Sequence, residues 1–240
     1  MDQHLGLGSW VLGPLISVAR ERLEFGDEPL SLLTLFVTAF IVALSGALMP
    51  GPLLAVTLGH SPSYGWKFGP MAIVGHGLLE LGLISLVFLG AGPILQARGF
   101  QGWVGLAGGL ILVWMGKGMV DMVRAGNFED LGRIETKEPN RAVLLGAVMS
   151  ISNPYWTLWW ATVGLAYLSV ASESGPVGIA VFFCGHISGD LAWYTLVSTA
   201  SARGVKIAGS KFYRALMALC SLVLVILGIW FFFYGIKLLL

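Results

Sequence analysis

Apolar residues run in long stretches along this chain, each near or above the roughly 18–20 residues that carry a helix across a bilayer. Six such stretches fall at residues 30–59, 67–89, 99–123, 142–170, 177–201 and 215–239. The pattern predicts an all-α polytopic membrane protein of six transmembrane helices. Two of the stretches are interrupted. Met49-Pro50-Gly51-Pro52 breaks the first and Ser152-Asn153-Pro154 breaks the fourth. Proline removes a backbone donor and clashes one turn back, so each motif should interrupt or sharply kink its helix. Inside a bilayer such a break is tolerated only where protein or a wet cavity satisfies the freed backbone.

Polar residues fall between the stretches. Residues 60–65 and 172–176 read as turns from their Ser, Pro and Gly content. Residues 203–214 read as a basic linker, and residues 124–141, rich in both charge signs, as a solvated loop. That loop divides the chain into a first repeat of three helices, 29–123, and a second, 142–240. Residues 1–28 form an N-terminal interfacial or re-entrant segment in this reading. Their apolar part, 5–19, is too short to span and is interrupted by Gly8, Gly13 and Pro14. Asp2 stands where a cleavable leader would carry basic residues, so no signal peptide is evident.

The two halves resemble each other. Gly75-His76-x-x-x-Glu80-Leu81 in the second span matches Gly185-His186-x-x-x-Asp190-Leu191 in the fifth. Gly109 and Gly116 in the third share their spacing with Gly228 and Gly235 in the sixth. An odd number of spans per half makes the expected architecture a 3+3 inverted repeat, with helices 1 and 4 broken. Under that topology one membrane face receives ten of the Lys and Arg residues and the other only Arg20, Arg22, Arg98 and Lys237. The positive-inside rule then makes the central loop cytoplasmic and both termini external.

Composition narrows the chemistry. The chain is 56% hydrophobic and 11% charged, with a net charge of +1, which excludes a nucleic-acid-binding surface. Cys184 and Cys220 form no metal-type or CxxC spacing. No Gly-Lys-Ser/Thr loop, nucleophile–base pair or His-Glu-x-x-His motif is present, so neither ATP-driven transport nor an enzyme is expected. What stands out is His76, Glu80, His186 and Asp190. Each pair is four residues apart and shares a helix face. Each sits near mid-span, where an ionisable group costs at least about 2.5–3.5 kcal/mol and usually faces a cavity or partner. In the plainest reading each His satisfies the acid of its own helix. In the functional reading both pairs surround a central cavity and load and release a proton or ion. A third role for the four is as N/O ligands of a divalent metal.

The breaks offer a different chemistry. A half-helix starting after Pro52 or Pro154 presents free N–H groups and a positive dipole end to a carboxylate. Freed carbonyls and the Asn153 amide can take an ammonium. These are the contacts of a zwitterionic amino acid. Tyr155, Trp156, Trp159 and Trp160 follow the second break, where they either pack or box a cationic or apolar side chain.

The Pro-Gly-Pro of the first span, the Gly-His of the second and the Ser-Asn-Pro with following aromatics in the fourth resemble the lysine exporter (LysE/RhtB) family of amino-acid efflux proteins. The resemblance covers about residues 31–240. It implies a plasma-membrane exporter, using the proton or ion gradient and forming a homodimer, with an amino-acid substrate and no organic cofactor. It places Pro50, Gly51, Pro52, Asn153 and Pro154 on the transport path, joined by Trp156 and Trp160 from the aromatic reading. Leu53 and Leu54 follow the Pro-Gly-Pro, where many members carry a polar residue. Wider relatives include divalent-cation exporters, which keeps the metal alternative open. Others are thiol–disulfide carriers with a cysteine beside the proline breaks, which this chain lacks.

Overall fold

The computed structural model describes residues 31–125, 139–207 and 209–240. The N-terminal segment 1–28 and most of the central loop lie outside the described residues. Those described are helical throughout their elements, with no strand. Ser31 opens α1 (Leu32–Ala47) by accepting the Thr34 N–H on its hydroxyl at 3.2 Å. The chain leaves that helix before Pro50, as the residues preceding a proline are pushed out of the α region. Gly51 is extended, Pro52 takes the first helical position, and α2 (Pro52–Tyr64) departs at 81° to α1.

The turn expected at residues 60–65 is shorter than its composition suggested. Pro62 lies inside α2, and the chain turns at Gly65, which has a positive φ of 90°. Proline withholds the N–H that the Leu58 carbonyl would have accepted. Ser201 Oγ fills that position from another helix at 3.0 Å. Next, α3 (Phe68–Leu86) runs through a π turn at Val87–Ala91, kinks at Gly90 with φ 99°, and continues as α4 (Gly92–Gln96). α5 (Arg98–Ala125) covers the third predicted span.

The fourth predicted span is divided. α6 (Pro139–Ile151) stops at the break, α7 (Pro154–Trp159) restarts after it, and a π turn at Trp160–Gly164 leads into α8 (Leu165–Ser172). α9 (Gly175–Ile207) and α10 (Gly209–Leu239) complete the chain. The basic linker expected at 203–214 is thus helical on both sides of residue 208. Its Lys, Arg and Ala residues are good helix formers, and charge alone does not end a helix.

Among the described residues, four helical segments are long and apolar enough to cross a membrane: Phe68–Gln96, Arg98–Asp121, Gly175–Arg203 and Met217–Leu239. The bent pair of α1 and α2 makes a fifth when taken as one span. Leu33, Leu89 and Trp114 are among many large apolar side chains left exposed on the outside, as a bilayer-facing surface requires. The protein is a multi-pass membrane protein.

Packing is close and systematic. α10 lies along α5, α9 along α1, and α3 along α6, while α9 also touches α3. Glycines permit the approach. A Cβ on Gly75 would collide with the Val143 carbonyl of α6, and one on Gly146 with the Ala72 carbonyl of α3. Gly185 and Gly189 of α9 meet the Phe36 and Phe40 carbonyls of α1 in the same way. Each Gly-His dipeptide therefore sets its glycine against a neighbouring backbone. The histidine that follows turns inward.

Candidate functional site

α3 and α9 bring all four predicted ionisable residues together. His76 Nε2 lies 3.0 Å from Glu80 Oε1 on its own helix and 3.4 Å from Asp190 Oδ2 on α9. His186 Nε2 lies 3.3 Å from Asp190 Oδ2 and 3.2 Å from Glu80 Oε2. The two pairs are thus one quartet, bridged within and across helices. All four are buried, Glu80 completely. One ligand atom from each lies within 4.8 Å of the others, so the group can hold protons or a metal ion.

Neighbouring side chains fix the quartet. Ser150, the last full turn of α6 before the break, donates to the Gly146 carbonyl at 2.7 Å. Its hydroxyl also lies 2.7 Å from His76 Nδ1, within hydrogen-bond distance. That contact holds the ring with Nε2 toward the carboxylates. Beyond the break, Trp160 donates its indole N–H to Glu80 Oε1 at 2.9 Å and Trp156 does so at 3.2 Å. The second break is therefore tied to the quartet from both flanks. The His186 ring sits among Trp159, Trp160 and Phe182, with its centroid 4.9 Å from that of Trp159.

The two breaks meet each other. A Cβ on Gly51 would come within 2.9 Å of Asn153 Nδ2, so only glycine fits there without moving the amide. Asn153 caps α7 by accepting the Tyr155 N–H at 3.1 Å. α2 has no side-chain cap, which leaves its leading N–H groups without an intrahelical partner. Ser45 of α1 holds the far side. Its carbonyl accepts from Tyr155 Oη at 3.3 Å and its hydroxyl from Trp159 Nε1 at 3.2 Å.

A cavity of about 50 Å³ lies at this junction, walled by the quartet, Gly51, Asn153 and Trp156 among others. That is room for about three or four water molecules. Of the residues placed on the path from sequence, Gly51, Asn153 and Trp156 line it. Pro50 is half-buried beside the break, and Pro52 starts α2 in a buried position. Pro154 packs against Gly108 of α5, and Trp160 lies fully buried behind Glu80. The tryptophans present N–H edges to a carboxylate rather than an open aromatic box. Ser150 and Ser45 were not singled out in the sequence. Isolated serines in apolar helices carry no distinguishing pattern, and only their position one or two turns from a break hints at a role.

The family model described as LysE type translocator matches residues 44–235. The chain belongs to that family. It is a transporter and not an enzyme. A Bacillus subtilis (strain 168) protein named "Putative amino acid efflux protein YcgF" is 23% identical over 211 residues, covering 85% of this chain and 98% of that protein. No solved structure gives a significant match. In this LysE type translocator the family match spans both breaks and the whole quartet, so the cavity lies within the translocating domain itself.

Proposed function

We propose that the chain exports amino acids or similar small polar metabolites across the plasma membrane, driven by the proton or ion gradient. The observation that carries this reading is the meeting of both helix breaks at one cavity walled by a buried quartet of ionisable side chains. The name of the Bacillus subtilis relative points the same way. In this proposal the uncapped start of α2 receives the substrate carboxylate, as helix N-termini do. The ammonium faces Asn153 and the carboxylates of the quartet.

The quartet is the coupling centre. Its imidazoles and carboxylates lie in mutual contact, so a proton moved on or off one is felt by all four. Ser150, Trp156 and Trp160 carry that change to the second break. The present cavity is too small for an amino acid, so the pathway must open by rocking one half against the other. Six spans in a 3+3 inverted repeat suit this motion. The reciprocal packing of α3 on α6 and α9 on α1, with Gly-His at each contact, supports such a repeat. The central loop is cytoplasmic, both termini are external, and two copies form a homodimer in this proposal.

Binding to the purified chain is the first test. Lysine, arginine, threonine, leucine and homoserine are titrated by calorimetry in the presence of a chelator. Saturable binding of any of them, weakened by N153A, supports the reading. No binding by folded protein across the panel contradicts it.

A further inference from the structure

We infer that the quartet is a four-coordinate site for a divalent transition-metal ion of the zinc class, which takes the place of the shared protons. Ligand type comes first. Two imidazole nitrogens and two carboxylate oxygens suit borderline first-row ions. Size comes next. Metal–ligand bonds of about 2.0–2.2 Å put neighbouring ligand atoms of a four-coordinate ion about 2.8–3.6 Å apart. From His76 Nε2 the approaches are 3.0 Å to Glu80 Oε1 and 3.4 Å to Asp190 Oδ2, and from His186 Nε2 they are 3.2 Å to Glu80 Oε2 and 3.3 Å to Asp190 Oδ2.

Direction separates a metal site from ordinary ion pairing. Despite those short approaches, Glu80 Oε2 and Asp190 Oδ2 accept no hydrogen bond. The one aligned contact between the imidazoles and the acids is His186 Nε2 to Glu80 Oε1 at 3.2 Å. Both unpartnered oxygens belong to buried residues and lie beside a histidine Nε2. The remaining atoms are oriented as supporting groups of a metal site are. His76 Nδ1 is engaged by Ser150, which leaves Nε2 facing the acids. Glu80 Oε1 accepts from two indole donors, while Oε2 stays unpartnered beside His186 Nε2. Such outer partners fix ligand tautomer and orientation. His186 Nδ1 lacks a hydrogen-bond partner, and its ring is held by Trp159, Trp160 and Phe182 instead.

The inference concerns the quartet alone and stands or falls independently of the amino-acid substrate. The full chain, purified in detergent and stripped by a chelator, is titrated with zinc by calorimetry and with cobalt(II) by visible absorption. Saturable binding of one ion per chain is expected, with the intense band of four-coordinate cobalt and release of protons into the buffer. H76A and H186A should abolish it, and S150A should weaken it about 10–100-fold. H60A, at a histidine outside the quartet, should leave it unchanged. Melting curves confirm that each variant is folded, and D190N provides a near-isosteric ligand loss should an alanine variant fail to fold. The inference is overturned by absence of saturable binding to folded wild type, by a pale six-coordinate cobalt spectrum, or by binding that survives loss of either quartet histidine. Amino-acid binding in chelator, measured on the same preparation, is scored separately.

Discussion

Trp160 donates its indole N–H to Glu80 Oε1 across 2.9 Å, joining the π turn after the second break to a fully buried carboxylate on α3. The bond is charge-assisted when Glu80 is ionised, and such bonds contribute about 1.5–3 kcal/mol each. W160F keeps most of the ring but removes the donor. It should lower thermal stability by roughly 1–3 kcal/mol and slow transport more than it weakens substrate binding. W156F, which loses the longer bond, should cost less. Melting curves and flux assays on the two variants check the order. Equal, negligible effects would mean that neither indole holds the carboxylate.

Gly51 and Asn153 belong to different breaks yet touch. G51A places a methyl group within 2.9 Å of the Asn153 amide nitrogen, which must turn away and loosen the α7 cap. N153A removes the cap outright, at about 1 kcal/mol. The two changes should be strongly non-additive in substrate affinity, because both disturb one contact. A double-mutant cycle measures this, and additive effects would show that the breaks act separately.

The glycines at the α3–α6 contact face backbone, not side chains. G75A and G146A should each prevent stable folding, since the Val143 and Ala72 carbonyls cannot give way as a flexible side chain would. Gly118, whose added Cβ would meet nothing within 4 Å, is the control. G118A should express and migrate on size exclusion as wild type does. Monodisperse G75A with an unchanged melting point would contradict the packing.

The sequence made visible the features that cost energy in a membrane. Pro50, Pro52 and Pro154 marked the breaks, and four mid-span ionisable residues marked the site. Spacing of four placed His76 with Glu80 and His186 with Asp190, each on one helix face. It carried no information about distances between helices, so the merging of the pairs into a quartet had to come from the fold. The same limit hid Ser150 and the two indole bonds, which are contacts at sequence separations of 74, 76 and 80. Local composition misled in two places. Pro62 looked like a turn but sits in a helix whose freed carbonyl is met by Ser201. The basic residues after Arg203 looked like a linker but belong to helices that extend beyond the apolar stretches.

Ser150 gives a separate handle on the quartet. S150A deletes the hydrogen-bond partner of His76 Nδ1 and leaves a buried ring nitrogen unpartnered, at about 1–3 kcal/mol. Flux should become less sensitive to the imposed gradient while the substrate affinity in chelator stays close to wild type. Threonine at this position retains the hydroxyl and should restore coupling. A fall in affinity as large as the fall in flux would place Ser150 in the substrate site instead.

Flux through reconstituted vesicles tests the central claim most directly. The purified chain is placed in liposomes loaded with radiolabelled amino acid, and efflux is followed with and without an imposed proton gradient. Saturable efflux that a protonophore collapses, and that E80Q and D190N abolish while remaining folded, is the predicted result. Efflux no faster than from protein-free vesicles for every amino acid tried, or efflux indifferent to E80Q and D190N, would contradict it.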